Sequence, residues 1–215
     1  MAQGVAGSQH LYDAFVSYSH AADNELAPVL QQHMQRFAKP WYKLRSLRIF
    51  RDDTTLVLTP HLWPDIRNAL DASRFFVLLA SPQAAQSRWV QQELPHWITS
   101  RGAGTLLIVL TDGKIEWDDE ANDFDWSLTN ALPPVLKGAF SAEPKWEDVA
   151  ALTKPEDLSM QNPVLRKTVA SLYSAITGRP LDEVIGEDVR QFRRTRLIVG
   201  ATLVTFLVGA VGFGW

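Results

Sequence analysis

The stretch that decides the fold is Arg74–Leu94, with the sequence RFFVLLASPQAAQSRWVQQEL. It opens with an apolar run at residues 75–80 that a serine and a proline end, and this pattern is typical of a buried central strand in a parallel sheet. A loop follows, and then a helix in which Glu93 lies at the edge of the apolar face, between Trp89 and Trp97. Open α/β sheets bind ligands just beyond the carboxyl ends of their strands, so Glu93 is a candidate site residue. Taken alone, a glutamate at this position is more often a rim residue in a surface salt bridge. Whether Glu93 is instead a site residue depends on the motifs in the rest of the chain.

Strands and helices alternate on both sides of this stretch. Further strands are predicted at residues 11–18, 46–50, 105–110 and, at the edge of the sheet, 143–149. A final helix is predicted at residues 163–177, with Asn162 as its N-cap. This alternation predicts an α/β fold with a flavodoxin-like, doubly wound, parallel five-stranded sheet in the order 2-1-3-4-5. Its binding crevice is then expected near the first and third strands.

Two local predictions concern the segments between these elements. Asp23 or Asn24 is expected to cap the first helix, whose apolar stripe begins at Leu26. Residues 112–125 are rich in acidic side chains and are expected to form a solvated loop.

Composition excludes several classes of function. The net charge of −3 provides no basic field for nucleic acid. The absence of cysteine excludes disulfides, thiol catalysis and thiolate metal sites, and the five histidines show no metal-binding spacing. Neither of the common glycine-rich phosphate loops is present. No metal and no nucleic acid partner is therefore expected.

The two ends of the chain differ in character. Residues 1–9 lack the apolar core of a signal peptide and are expected to be a disordered tail. Residues 197–215 carry no charge, and as a helix they would extend about 28 Å, close to the thickness of a bilayer's hydrocarbon core. We predict a transmembrane helix there, preceded by a basic juxtamembrane stem at residues 179–196 whose arginines keep the preceding domain in the cytoplasm. The protein is then either tail-anchored or part of a longer chain.

Three segments, in this order, resemble the signature boxes of TIR (Toll/interleukin-1 receptor) domains. Tyr12–Ser19, YDAFVSYS, is similar to the first box, and Arg48–Asp53, RIFRDD, to the second box that precedes the BB loop. Arg74–Leu94 resembles the segment in which TIR domains place a serine, a tryptophan and a glutamate. The resemblance implies a TIR domain over residues 10–178. Because it extends to bacterial membrane-anchored TIR proteins, it also implies that the chain is the N-terminal part of a longer protein.

The resemblance also implies a chemistry. Many bacterial and plant TIR domains cleave NAD+ at the nicotinamide–ribose bond, and their essential glutamate matches Glu93. A carboxylate can stabilise the oxocarbenium character that develops on the ribose, and nicotinamide departs neutral, so no general acid is strictly needed. NAD+ would be the substrate, with no cofactor.

Besides Glu93, the resemblance implies substrate-binding roles for Tyr18, Ser19, His20, Asp52, Trp63, Ser87 and Trp89. Leu62 is the other possible match for the aromatic residue of the BB loop. Trp63 could instead staple the start of the next helix, and Ser87 or Trp89 could serve as a helix cap or core anchor. The family often has an arginine in the loop after the first strand, and this chain has none there.

Two functions from different classes follow. The first is a NAD+ hydrolase that self-assembly activates, with a role in bacterial immune or stress signalling. The second is a non-enzymatic adaptor that acts through TIR–TIR contacts, which the BB-loop residues 56–58 could supply. Glu93 discriminates between them, because a pure adaptor does not require it. A response-regulator receiver is excluded, because its third strand should end in a phosphorylatable aspartate and here it ends in Ala80-Ser81.

Overall fold

The structure is a computed structural model that describes residues 10–37, 45–51 and 62–185. Five parallel strands form its sheet: β1 (Tyr12–Ser17), β2 (Ile49–Arg51), β3 (Ser73–Ala80), β4 (Leu106–Leu110) and β7 (Trp146–Asp148). Their order is β2-β1-β3-β4-β7. The predicted α/β class and sheet order are therefore confirmed, with β7 as the fifth strand of the sheet.

The helices that accompany these strands in the described part of the chain include α1 (Leu26–Arg36), α2 (Leu62–Asp71), α3 (Pro82–Gln86), α4 (Val90–Arg101) and α5 (Pro163–Thr177). Short 3-10 turns occur at Pro134–Leu136 and Pro155–Asp157, and residues 181–185 are helical as well. The final predicted helix is confirmed at both ends. Asn162 Oδ1 accepts a hydrogen bond from the Val164 N–H at 2.9 Å, and Gly178 ends the helix with a φ of 70°.

Strand alternation sends the side chains of β1 into two separate cores. Ala14 and Val16 pack in a cluster with side chains of α1 and α5. Phe15 packs on the other face, in a cluster with side chains of α2 and α4. Ser17 lies two residues after Phe15 in β1, so its side chain is on the same face of the sheet and faces α4.

Two local predictions were wrong. The N-cap of α1 is Glu25, without a side-chain hydrogen bond, and Asp23 contributes its backbone carbonyl to the Ala27 N–H at 2.9 Å. The Asp23 side chain is instead buried. The acidic segment also holds an antiparallel hairpin, β5 (Trp117–Asp118) with β6 (Asp123–Phe124). Its aromatic side chains account for the difference, because they bury apolar surface that a solvated loop would leave exposed.

No helix among residues 10–37, 45–51 and 62–185 is long and apolar enough to cross a bilayer. The predicted membrane span at 197–215, most of the predicted stem and the predicted tail at 1–9 lie outside the described residues.

Candidate active site

Glu93 lies in the first turn of α4, at the edge of the sheet where β1 and β3 end. It is only 2 % exposed, which excludes the alternative of a rim glutamate at the surface. Ser17, the last residue of β1, donates a hydrogen bond from its Oγ to Glu93 Oε2 at 2.5 Å. The site therefore joins the carboxyl end of a central strand to the start of a helix, as ligand sites of open α/β sheets do.

The chain reaches this position through two short capping turns. Ser81 caps α3 by accepting a hydrogen bond from the Ala84 N–H at 3.1 Å, with Pro82 at the first helical position. Ser87 ends α3, and its carbonyl accepts from the Gln91 N–H at 2.9 Å as α4 begins. These turns bring the start of α4, and Glu93 with it, back to the sheet edge. The helix α3 replaces the loop that we expected here.

Tyr18 and His20 lie on the side of the sheet opposite to Glu93. The Tyr18 ring belongs to the cluster of α1 and α5, and its hydroxyl accepts a hydrogen bond from Arg51 Nη1 at 2.8 Å. The exposed His20 ring stacks on it, with centroids 4.7 Å apart and an interplanar angle of 11°. Ser19 is buried, and its carbonyl accepts from the Asp23 N–H at 2.8 Å, which forms the turn after β1.

Trp63 lies on the same side of the sheet as Glu93. It is the second residue of α2 and packs against the core that α2 and α4 share. Its ring meets His96 of α4 edge to face, with centroids 6.5 Å apart. This contact agrees with a stapling role, and it also brings the indole to the helix that carries Glu93. Leu62, the other possible match, is exposed, and Asp52 lies outside the described residues.

Trp89 immediately precedes α4 and is half-buried. Its carbonyl accepts from the Glu93 N–H at 2.9 Å, and the Arg88 guanidinium lies 5.6 Å from the centre of its ring. Trp89 and Ser87 thus shape the backbone that presents Glu93. Their contacts with substrate remain predictions.

Two side chains at the carboxyl ends of β1 and β2 were not among the predicted site residues. Ser17 is part of the YDAFVSYS segment. Strand alternation places it on the same face of the sheet as Phe15, which is the face that Glu93 packs against, so this signal was present in the sequence. Arg51, at the end of β2, is buried and also donates from Nε to Gln31 Oε1 at 3.0 Å. It brings a guanidinium to the loop after β1, where the sequence itself has no arginine.

A cavity of about 360 Å³ opens on the other face of the sheet, at the carboxyl ends of β1, β4 and β7. Asp23 lines it and is 3 % exposed, with Oδ2 lacking a hydrogen-bond partner. The pKa of Asp23 is raised to about 6, chiefly by burial and also by the nearby Asp112 charge, and hydrogen bonds from Thr111 and Ser19 act in the opposite direction. Within the described ranges, no group of three or more His, Asp and Glu side chains is arranged to hold a metal ion.

Comparison with known proteins agrees with these observations. Residues 14–131 match the family described as TIR domain. A curated relative from Actinoplanes sp. (strain ATCC 31044 / CBS 674.73 / SE50/110), "NAD(+) hydrolase ApTIR", is 41% identical over 209 residues, which are 95% of this chain and 29% of that protein. The chain belongs to the TIR-domain family. It corresponds to less than a third of the length of that relative.

Solved structures of TIR domains are also similar. One is the set of TIR domains in the activated Roq1 resistosome that recognises the pathogen effector XopQ. It has a TM-score of 0.37 and 20% identity and covers 46% of this chain and 57% of that one. This likeness is too weak to carry an argument.

Proposed function

We propose that this chain is a TIR-domain NAD+ hydrolase that cleaves the nicotinamide–ribose bond. The observation that carries the proposal is the position of Glu93. Its buried carboxyl group lies at the carboxyl ends of the central strands, where open α/β sheets bind ligands, and one of its oxygens accepts a hydrogen bond from a serine. The name of the relative that is 41% identical, a NAD(+) hydrolase, supports the same activity.

In the proposed reaction the bond between ribose C1′ and the nicotinamide nitrogen breaks. Both bonding electrons leave with the nitrogen, so nicotinamide departs neutral and the positive charge remains on C1′ and the ring oxygen. The Glu93 carboxylate stabilises this charge. Because Glu93 is only 2 % exposed, its electrostatic interaction is screened less than it would be in water. The oxygen of a water molecule then forms a bond to C1′ and releases one proton to the solvent, which gives ADP-ribose. NAD+ is the substrate, and the proposal needs no cofactor.

The test is nicotinamide release from NAD+ by the full chain, measured by chromatography. We expect Glu93→Gln to lower kcat by about 10²–10³-fold, the range typical of removing one group that stabilises charge in the transition state. Glu120→Gln is the matched control, because Glu120 is an exposed carboxyl in the turn between β5 and β6. Activity that survives in Glu93→Ala would contradict the mechanism.

A wild-type chain that releases no nicotinamide under any clustering condition would instead favour the non-enzymatic adaptor. Such an adaptor would still bind other TIR domains but would not cleave NAD+. The two functions are therefore separated by one assay combined with a measurement of self-association.

We further propose that residues 197–215 anchor the chain in a membrane, with the TIR domain in the cytoplasm, and that side-by-side TIR assembly switches the enzyme on. The uncharged segment and the preceding arginines support the anchor. Membership of the TIR family supports TIR–TIR contacts. A role in bacterial immune or stress signalling follows from the same family membership.

A further inference from the structure

The hydrogen bond between Ser17 and Glu93 joins two residues that are 76 positions apart in the chain. Each side chain is only 2 % exposed. Ser17 is held by the sheet, since it pairs in register with Leu78 of β3. Its hydroxyl is thus a donor on a rigid element, aimed at a carboxyl group on a separate helix.

Such a bond has two physical effects on a buried carboxyl group. It restricts the side-chain torsions of the glutamate, so that the group is already in place when substrate binds. It also favours the ionised form, because a hydroxyl donates more strongly to a carboxylate than to a carboxylic acid. The position of Glu93 in the first turn of α4 acts in the same direction, because helix N-termini favour negative charge. Burial of Glu93 acts against ionisation, and these two effects offset it.

We propose that Ser17 is a positioning residue for Glu93: its Oγ–H favours the ionised glutamate carboxylate and orients it for the reaction. This inference rests on the proposed function, since it assigns a role within the same site. Ser17 acts through Glu93 and need not touch NAD+.

The chain offers a closely matched control in Ser73, the first residue of β3. Ser73 is also a fully buried strand serine, and its hydroxyl donates to the Ala69 carbonyl at 2.7 Å. Ser17→Ala and Ser73→Ala therefore remove the same group and one buried hydrogen bond each. Only the first of them removes a bond to a carboxyl group.

The first measurement is the pH profile of kcat/KM for nicotinamide release. A hydrogen bond to a charged group is typically worth a factor of about 10 to 100 in an equilibrium constant. We expect Ser17→Ala to move the acidic limb of the profile upward by about 1 to 2 pH units and to lower kcat by about 10- to 100-fold. Ser17→Thr retains the hydroxyl and should restore both, whereas Ser73→Ala should leave the profile in place.

The second measurement does not depend on activity. The side-chain carboxyl carbon of Glu93 is observed by ¹³C NMR in the full chain and assigned by its loss in Glu93→Gln. Its titration midpoint should rise in Ser17→Ala and not in Ser73→Ala. If both serine variants merely lose thermal stability and the midpoint stays unchanged, the positioning role is overturned.

These readouts also separate the two proposals from each other. If the wild-type chain releases no nicotinamide, the proposed function fails, and if Glu93→Gln still cleaves NAD+, the catalytic role of Glu93 fails. In either case the NMR titration still decides whether Ser17 controls the ionisation of Glu93. If Glu93→Gln is inactive but Ser17→Ala has the wild-type pH profile and titration midpoint, the function stands and the role of Ser17 is overturned.

Discussion

Asp23 is a carboxyl group whose ionisation the fold makes unfavourable. It is almost fully buried, one of its oxygens has no hydrogen-bond partner, and its pKa is raised to about 6. In the unfolded chain the same group ionises at its ordinary pKa of 3.8. Between these two values the folded protein binds more protons than the unfolded chain, so the contribution of Asp23 to stability falls as pH rises.

We expect Asp23→Asn to reveal this linkage. Relative to wild type, the free energy of unfolding of the variant should increase from pH 4 to pH 7.5 by at most about 3 kcal/mol, with most of the change between pH 4 and 6. Urea denaturation at a series of pH values measures it. Asp119→Asn alters an exposed aspartate and should show no such trend. A pH-independent difference between wild type and Asp23→Asn would contradict the expected cost of ionisation.

At the scale of the element, α5 shows how far local chemistry specifies structure. Its N-cap, its proline at the first turn and its closing glycine are all visible in the sequence, and the helix begins and ends where they predict. Gly178 has a φ of 70°, a conformation that residues with a Cβ adopt at a cost of about 1–2 kcal/mol.

Asn162→Ala and Gly178→Ala should each destabilise the protein by about 1 kcal/mol, or about 2–4 °C in Tm. The first removes the side-chain acceptor for the Val164 N–H, and the second places a Cβ in the left-handed region. Differential scanning calorimetry of the full chain measures both. Gly104→Ala is the control, since Gly104 has open space around it and no positive φ. Equal Tm values for all three variants would refute the capping argument.

The hairpin of β5 and β6 shows where local patterns fail. Each strand has two residues, too short for any periodicity to be recognised, and the surrounding charges indicate a loop. The apolar contacts of the hairpin include residues outside its two strands: Phe124 packs edge to face on Trp117 of β5 and also on Trp126 and Phe140. Phe140 is 16 positions after Phe124 in the sequence. A short sequence segment centred on the hairpin therefore does not contain all the aromatic residues that pack together.

At the scale of the whole molecule, the proposed enzyme is expected to depend on surface density. Confining chains to a membrane raises their effective concentration, which favours TIR–TIR contacts without any new interaction. For the full chain in liposomes, nicotinamide release per molecule should therefore rise several-fold as the protein-to-lipid ratio increases at constant total protein. Glu93→Gln should stay about 10²–10³-fold less active than wild type at every ratio. A rate per molecule that stays constant across the series would argue against activation by assembly.

The sequence by itself determined the features that arise from nearby residues: the alternation of strands and helices, hence the parallel sheet and its order, and the caps of α5. It also identified Glu93 through the order of three TIR-like segments. Only the tertiary structure decided that Glu93 is buried, that Ser17 donates to it, and that the Asp23 side chain is buried in the wall of a cavity. The physical reason is that periodicity and capping act over a few residues, whereas burial and side-chain partners depend on how elements distant in the chain pack against one sheet.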